Sequence, residues 1–457
     1  GGDPRGQFVG HVASAPATHP IVNTPSPDEA LSNEEAAYAE GVERNLTRNY
    51  LAHLAHGLLG QTGFRLLNAP TFLPAYILML SGGSDLAVGA ILSLQAFGQV
   101  LTPLIGANLI EHRRRVLPVG FVTGGLMRAM VLLIALSGLV LPEAWALPAV
   151  AFFVLGFGLF MGMQGVIFNF LMSKVIPVSR RGRLTGLRNF LAGITSAGVA
   201  WFGGEVLLGD TPTVAGYSWT FVLAFVLTSV GLATLVVVRE PEPPTVRART
   251  PLTRRLGEIP ALLREDRAFT RYVVARALAT TGRMAAPFYI LFAGREIGLS
   301  GTTLGILTVA FTLSGTFSNL FWGALADRYG FRSAFLGSIV LWIASTILLM
   351  VSSGLWFTAL VFVGIGAAFQ GFQHASMNLT LEFGQRDDLP MRIALANTGS
   401  ELAGTVGPLL GGALATAFGY PAVFHASIAF LAFGGVLVLR FVPEPRDAVR
   451  SVAEARR

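Results

Sequence analysis

Cysteine is absent from this chain of 457 residues, and lysine occurs once, at Lys174. Without a thiol, the chain can form no disulfide, thiolate metal site or thiol nucleophile. Charged residues are also scarce, at 13%, whereas 53% of the residues are hydrophobic. So little polar material cannot cover a soluble protein of this length, and the composition therefore indicates a membrane protein.

Apolar stretches of about 20 residues recur along the chain, and each is long enough to cross a hydrocarbon core of about 30 Å. They contain glycine, alanine and phenylalanine rather than alternating polar residues, so we expect helices. The sequence predicts an all-α membrane protein whose twelve transmembrane helices lie at about 52–80, 86–110, 116–140, 146–174, 184–207, 217–239, 270–294, 300–325, 332–352, 355–383, 390–417 and 419–441. We number these helices as spans 1 to 12.

Basic residues between the spans fall on one side of the predicted membrane, which we call the basic side. They are His112 to Arg115, Arg180, Arg181, Arg183, Arg328, Arg332, Arg386, Arg392 and the arginines of the central linker and the C-terminal tail. The opposite side carries Arg295 alone. The positive-inside rule makes the basic side cytoplasmic and places both termini there. We expect an integral protein of a bacterial inner membrane, whose net charge of +7 reflects orientation in the lipid bilayer rather than a nucleic acid partner.

The polar segments between and beside the spans divide the chain. We predict a cytoplasmic tail at 1–48, a six-helix bundle at 49–239, a cytoplasmic linker at 240–269, a second six-helix bundle at 270–446 and a tail at 447–457. The linker begins with Pro241 and Pro243 and contains many arginines. The first tail could start a short surface helix near Ser26, and it could dock a protein partner.

Short motifs recur in the same order in the two halves. The loop from Ala107 to Arg115 is an imperfect repeat of the loop from Gly323 to Arg332. Glu111 of the first loop matches Asp327 of the second. Gln164 and Asn169 of span 4 recur with the same spacing as Gln373 and Asn378 of span 10. Such matches predict a duplicated protein made of two pseudo-symmetric six-helix bundles.

The loop resembles the signature of the major facilitator superfamily. Gly323, Asp327, Arg328, Gly330 and Arg332 match that signature residue by residue, and Glu111, Arg113 and Arg114 belong to the degraded first copy. The resemblance covers about residues 50–446. It implies a central cavity between two bundles, alternating access to that cavity, and a gating role for the two loops. In the first copy Ala107 and Arg114 replace glycines of the signature, so we expect looser packing there.

Charged side chains inside a bilayer cost at least a few kcal/mol and need a partner or an aqueous cavity. Arg65 of span 1 and Arg283 of span 7 each lie about twelve residues into their spans, near the midplane. Because spans 1 and 7 line the central cavity in the family, the resemblance implies that this pair could grip a phosphate or carboxylate bidentately. Alternatively, the arginines form buried ion pairs, with Glu401 for example. For Arg128 and Arg276 we favour a structural role.

Glu401 in span 11 is the deepest acidic residue, and desolvation there would favour its protonated form, as a proton-coupling carboxylate requires. It could instead neutralise a neighbouring arginine. Gln164, Gln373, Asn169 and Asn378 are candidates for binding substrate, although amides in bundles also commonly bond helix to helix.

These features predict a secondary active transporter, not an enzyme, that moves a small organic anion or amphipathic solute by alternating access and binds it partly through Arg65 and Arg283. One alternative is a proton-coupled exporter of drug-like compounds acting through Glu401. Another is an accessory subunit or receptor that has the fold without transport. We expect no cofactor and no metal site, since His53 and His56 have no carboxylate or cysteine beside them in the sequence.

Overall fold

The structure is a computed structural model that describes residues 1, 27–246, 260–383 and 389–442, without the side chains of 27–31, 389–391 and 394. Predictions about most of the N-terminal tail, the centre of the linker, Arg386 and the tail at 447–457 therefore lie outside the described residues. Within them the chain forms helices and no strands, as the composition predicts.

The membrane part consists of twelve spans preceded by an N-terminal helix, Pro27–Arg44. The bounds are Leu46–Asn68 with Phe72–Leu80 (span 1), Asp85–Gln99 with Thr102–Ile110 (span 2), Leu117–Val140 (span 3), Glu143–Val175 (span 4), Val178–Phe202 with the π-helical turn Gly203–Leu208 (span 5), Val214–Ala233 with Thr234–Val237 (span 6), Arg267–Thr281 with Gly282–Ala285 and Ala286–Ile297 (span 7), Gly301–Tyr329 (span 8), Phe331–Met350 (span 9), Leu355–Leu381 (span 10), Leu389–Phe418 (span 11) and Tyr420–Phe441 (span 12). Among the described helices, nine are long and apolar enough to cross a membrane.

Polar caps and glycines fix several span ends. Ser84, Thr213 and Ser300 each accept a hydrogen bond from a backbone N–H of the following turn, at 3.1 to 3.2 Å. Between spans 8 and 9 the chain turns at Gly330, whose φ of 86° suits glycine. The first copy of this loop has Arg114 in place of that glycine. There six residues, 111–116, separate spans 2 and 3, a looser connection than the single-residue turn of the second copy.

The two halves meet along spans 2 and 11 and along spans 5 and 8. Glycines allow the backbones to approach closely: a Cβ at Gly89 would lie 2.2 Å from the carbonyl oxygen of Pro408, and one at Gly204 would lie 2.3 Å from that of Gly301. Small residues serve this purpose commonly at helix interfaces in membranes. Both crossings lie in the half of the membrane away from the basic side, so the two bundles are in direct contact there.

Candidate functional site

Spans 1 and 7 are both interrupted near their middles. Span 1 leaves helical geometry at residues 69–71, and span 7 narrows to a 3-10 turn at Gly282–Ala285. Pro70, Pro74 and Pro287 lie in or just after these breaks, and proline has no N–H for the helix ladder. Interruptions at corresponding places of two membrane repeats commonly mark a binding site.

A cavity of about 470 Å³ lies at the two breaks, lined by residues of spans 1, 2, 4, 7, 10 and 11. Arg65, Arg283, Gln373 and Glu401 contribute to its wall, as do Phe64 and Phe369. The volume is within the range of pockets that hold small organic ligands. Both halves of the protein supply residues to this cavity, so a ligand in it would contact both.

Arg65 reaches the cavity from span 1 with weak hydrogen bonds. Its guanidinium donates to Thr316 Oγ1 at 3.4 Å, to Gln61 Oε1 at 3.5 Å and to the carbonyl oxygen of Asn189 at 3.2 Å. All three acceptors are neutral and the distances are long for hydrogen bonds. This guanidinium therefore keeps most of its capacity to bind an anion.

Arg283 enters the cavity from span 7, where its guanidinium carbon lies 4.8 Å from the centre of the Phe369 ring. Glu401 is close enough to attract Arg283 electrostatically. Among the described residues, however, the ion pairs within 4.0 Å include neither Arg283 nor Glu401. The alternative of a tight Arg283–Glu401 ion pair is therefore not seen, and the two groups face the same cavity separately.

Positive charge exceeds negative charge in the membrane interior. In the described spans, the arginines at least nine residues from either span end are Arg65, Arg128, Arg188, Arg276 and Arg283, whereas Glu401 is the one acidic residue so placed. Arg128, Arg188 and Arg276 have exposed fractions of 2%, 4% and 7%. Buried charges without opposite charges are costly. The described spans therefore carry a net positive charge in the membrane interior, and two of these arginines, Arg65 and Arg283, line the cavity.

Neutral groups hold the three buried arginines. Arg128 donates to the carbonyl oxygens of Thr228 at 2.6 Å and Gly124 at 2.8 Å, and Arg276 donates to Thr380 and Asn397, each at 3.0 Å. These contacts between spans agree with the structural role expected for both. The guanidinium of Arg188 lies over the ring of Phe168, at 4.6 Å from its centre.

Arg188 is not among the deep arginines predicted from the sequence, because the apolar pattern predicts that span 5 begins at about residue 184. Span 5 begins at Val178, which places Arg188 ten residues into the helix. Arg180, Arg181 and Arg183 lie in the first turns of this helix. Because such closely spaced charged residues are typical of a loop, the sequence does not indicate that the helix begins before them.

The predicted amides separate into two environments. Gln373 lines the cavity, whereas its repeat counterpart Gln164 is buried between spans 3 and 4 and accepts a hydrogen bond from Thr123 Oγ1 at 2.7 Å. Asn378 bonds to the carbonyl oxygen of His374 on its own helix at 2.8 Å. Asn169 is exposed on span 4 outside the described cavity wall. A spacing of five residues turns a helix by about 500°, so partners at that spacing point in different directions.

The two loops that match the family signature lie at the basic ends of the spans. Arg332 donates to the carbonyl oxygen of Leu439 at 2.6 Å, which ties the start of span 9 to the end of span 12. Arg113 donates to the carbonyl oxygen of Leu109 at 2.9 Å, and Arg328 lies over the ring of Tyr329. A Cβ built at Gly323 would lie more than 4 Å from every described atom outside its own helix, so Gly323 does not mediate a close helix approach in this conformation.

Lys174, for which no role is predicted from the sequence, lies in a buried ion pair at the basic end of span 4. Its Nζ is 2.5 Å from Glu240 Oε1 and also donates to the carbonyl oxygen of Arg114 at 2.6 Å. The Glu240 carboxylate accepts the backbone N–H groups of Val116 and Leu117 at 2.8 to 2.9 Å, at the N-terminus of span 3. A carboxylate is stabilised in this position by the helix dipole. The pair joins spans 3 and 4 to the start of the linker.

A second polar cluster joins the halves on the side opposite the basic side. Asp85, at the start of span 2, accepts a hydrogen bond from Tyr420 Oη at 2.7 Å and one from Arg295 at 3.2 Å. The guanidinium of Arg295 also lies 4.2 Å from the centre of the Tyr420 ring. We call Asp85, Arg295 and Tyr420 the outer latch. It connects span 2 to spans 7 and 12 on that side of the membrane.

Removal of the latch is expected to open the cavity to the opposite side. Because the chain has no cysteine, an Ala96→Cys variant carries a single thiol in the cavity wall. In that background, Asp85→Asn should increase the rate at which an impermeant maleimide applied from the opposite side labels the thiol by about fivefold or more, as loss of a charged hydrogen bond permits. Glu296→Gln, a change of equal charge at an exposed neighbouring position, is the control. Equal labelling rates for the two variants would contradict a latch.

Comparison with known proteins agrees with this architecture. The family model of the Major Facilitator Superfamily matches residues 58–282 and 272–457. No curated protein sequence matches the chain. A mutant of the nucleoside transporter NupG has a similar structure, with a TM-score of 0.68 at 14% identity over 85% of this chain and 98% of that chain.

Two further solved structures are similar. A D-xylose-proton symporter has a TM-score of 0.67 at 15% identity over 87% of this chain and 98% of its own. The xylose transporter XylE from E. coli, in a partially occluded inward-open conformation, has a TM-score of 0.64 at 13% identity, with 87% and 98% covered. The predicted fold of two pseudo-symmetric six-helix bundles is thus confirmed, and the chain is a member of the Major Facilitator Superfamily.

Proposed function

We propose that this integral membrane protein is a secondary transporter that moves a small organic anion across the bilayer by alternating access. The observation that carries the proposal is the pair Arg65 and Arg283, which line one cavity without a carboxylate of the described residues within ion-pairing distance. Three further buried arginines, with Glu401 as the one acidic residue at similar depth in the described spans, support an anionic rather than a cationic solute.

The arrangement suggests how an anion would drive the conformational cycle. Arg65 belongs to the first bundle and Arg283 to the second, so an anion held by both would pull the bundles together around it. Release would then occur when the bundles part on one side or the other. A ligand can shift such an equilibrium only by its differential affinity for the two states, and contact with both bundles provides that difference.

The similar solved structures support a small solute as cargo. By their names these proteins carry nucleosides and xylose, and a cavity of about 470 Å³ would accept molecules of that size. The charge that we propose for the solute is inferred from the arginines of this chain and not from the cargo of these proteins. We place the protein in a bacterial inner membrane with the basic side facing the cytoplasm, on the strength of the loop arginines.

Transport by the purified protein in liposomes tests this proposal. We expect liposomes that contain the protein to exchange labelled organic carboxylates or phosphate esters faster than empty liposomes, and to show no exchange of organic cations. Exchange restricted to cations or neutral solutes would contradict it. Liposomes that contain the Arg65→Gln, Arg283→Gln double variant provide the matched control.

Proton coupling through Glu401 is a second candidate property, favoured because Glu401 lines the cavity and interacts electrostatically with Arg283. A protonated Glu401 would leave Arg283 free for the anion, whereas an ionised one would compete with it. The xylose relative is named a proton symporter. The same residue would serve a proton-coupled exporter of drug-like compounds, for which the excess of arginines is unfavourable.

The Glu401→Gln variant separates coupling from binding. Accumulation driven by a pH gradient should fall to the level of empty liposomes, because glutamine cannot exchange the proton, while exchange without a gradient should stay within about threefold of the parent protein. Initial uptake rates with and without the gradient provide the measurement. Glu143→Gln, at an exposed site outside the cavity, should leave both rates unchanged. Gradient-driven accumulation that persists in Glu401→Gln would exclude this residue as the coupling group.

A role as an accessory subunit or receptor has less support. The described part of the N-terminal tail packs on its own bundle, since Tyr38 Oη donates to the carbonyl oxygen of Lys174 at 3.0 Å. Burial and the nearby Glu240 carboxylate raise the pKa of Tyr38. This helix therefore contributes to the basic end of the first bundle. A stable complex with a second protein, joined to an absence of transport for every solute, would favour the accessory role.

A further inference from the structure

The aromatic side chains of the cavity wall already contact arginine side chains. Phe64 and Phe369 are the aromatic side chains in the described wall. The guanidinium of Arg128 lies 5.1 Å from the centre of the Phe64 ring, and that of Arg283 lies 4.8 Å from the centre of the Phe369 ring. A cation over a ring occupies one π-face. The wall therefore offers little aromatic surface for an aromatic or amphipathic solute to stack on.

Amides fill much of the remaining wall. The amide side chains that line the cavity are Gln61, Asn68, Gln95, Gln99 and Gln373. Gln95 donates to Asn68 Oδ1 at 2.9 Å, and Gln99 donates to the carbonyl oxygen of Gln95 at 3.4 Å. Each primary amide has two donor hydrogens and a carbonyl oxygen with two lone pairs, so these bonds use part of the capacity. Gln373 forms no side-chain hydrogen bond with the described residues, and its side chain is exposed.

Prolines add backbone acceptors to the same wall. Pro70, Pro74 and Pro408 line the cavity, and proline cannot donate to the carbonyl oxygen four residues earlier in a helix. Pro70 and Gly404 also line the cavity, and their carbonyl oxygens receive no hydrogen bond from Pro74 and Pro408, four positions later. Buried or half-buried acceptors favour ligands that bring O–H or N–H donors.

These features narrow the substrate class within the proposed anion transport, on which the following inference rests. We propose that the substrate is a hydroxylated organic anion, a sugar acid or a sugar phosphate. Its anionic group lies between Arg65 and Arg283, and its hydroxyl groups bond to the amides and to the carbonyl oxygens at the prolines. A carboxylate and a phosphate suit a guanidinium pair equally, so probes of both kinds are needed to distinguish them.

Binding of matched probes to the purified protein tests the inference. The probes are gluconate, glucuronate and glucose 6-phosphate as hydroxylated anions, hexanoate and benzoate as anions without aliphatic hydroxyl groups, and glucose as the uncharged sugar. We expect at least one hydroxylated anion to bind at least tenfold more tightly than hexanoate, benzoate and glucose, because a site built for hydroxyl groups discriminates against analogues that lack them. Titration calorimetry gives each Kd.

Two cavity variants sharpen the test. Gln95→Leu and Gln373→Leu should each weaken the hydroxylated anion about tenfold or more and change hexanoate less than twofold. Asn319→Leu replaces an amide of span 8 that bonds to its own helix, outside the cavity wall, and should alter neither Kd. The thermal unfolding midpoint of each variant shows that it is folded.

The outcomes separate the two proposals. If hexanoate or benzoate binds as tightly as the hydroxylated anions and the affinity depends on Arg283, anion transport stands and the hydroxylated class is wrong. If none of the hydroxylated anions binds, the inference is also overturned. If glucose alone binds, or if binding is indifferent to both Arg65→Gln and Arg283→Gln, the proposed anion transport itself fails.

Discussion

Substitution of Arg283 by glutamine is expected to weaken the binding of an organic anion roughly 100-fold, which corresponds to about 3 kcal/mol. The magnitude follows from the surroundings of the guanidinium. It lies in a cavity wall over Phe369, without a carboxylate within 4.0 Å among the described residues, so its charge is available to a ligand. Glutamine keeps a hydrogen-bond donor but removes the charge and the planar fork that binds an anion through two parallel bonds.

Calorimetric titration of the purified variants with the transported anion measures this effect. Arg283→Lys should lose about tenfold, because a point charge replaces a bidentate contact. Arg271→Gln is the matched control, since Arg271 belongs to the same span but is exposed near its basic end. The account of the cavity would be wrong if Arg283→Gln bound anions as tightly as Arg271→Gln does.

Removal of the Glu240 carboxylate, in a Glu240→Ala variant, is expected to lower the unfolding free energy by about 3–5 kcal/mol. Lys174 and Glu240 have exposed side-chain fractions of 6% and 3%, so the variant leaves a buried ammonium group without its counter-charge. The backbone N–H groups of Val116 and Leu117 lose their acceptor as well. Unfilled donors at the start of span 3 add to the loss.

A double variant shows whether the loss of stability comes from the unpaired charge or from the lost packing of the Glu240 side chain. Lys174→Met combined with Glu240→Leu should recover most of the lost stability, because a buried ion pair can often be exchanged for apolar side chains at little cost. The exposed pair Arg115–Glu242 provides the comparison, with side-chain exposures of 66% and 43%, and Glu242→Ala should cost less than about 1 kcal/mol. Thermal and denaturant unfolding in detergent give the values. A Glu240→Ala protein as stable as Glu242→Ala would contradict the buried role.

Periodic and compositional signals led directly to the fold. Apolar stretches predict the spans because each must satisfy its own backbone hydrogen bonds in lipid, and the repeated loops predict two related bundles. Both predictions are confirmed by the family match and the similar structures. Most charged residues deep in a span were equally visible, since their cost in lipid does not depend on their neighbours; Arg188 is the exception, because span 5 begins earlier than its apolar residues indicate. The structure brings Arg65, Arg283 and Glu401 to one cavity, and their functional roles stay predictions.

Features that depend on tertiary contacts were not visible in the sequence. Asp85 meets Tyr420 across 335 positions, and Lys174 meets Glu240 across 66, and no local pattern marks either partner. The Lys174 site had one signal, a solitary lysine in an arginine-rich chain, which does not by itself indicate a partner. Repeat symmetry also has limits, because Gln164 and Gln373 match in sequence while only Gln373 lies in the described cavity wall.

The central claim is that unbalanced positive charge around the cavity makes this protein an anion carrier. Currents recorded from the protein on a solid-supported membrane measure this property directly, because binding of a charged solute in the membrane interior displaces charge. Addition of an organic anion such as gluconate or glucose 6-phosphate should produce a transient current with the sign of negative charge entering the protein. The Arg65→Gln, Arg283→Gln double variant should abolish this current. A current evoked by organic cations, with none evoked by any anion, would contradict the account.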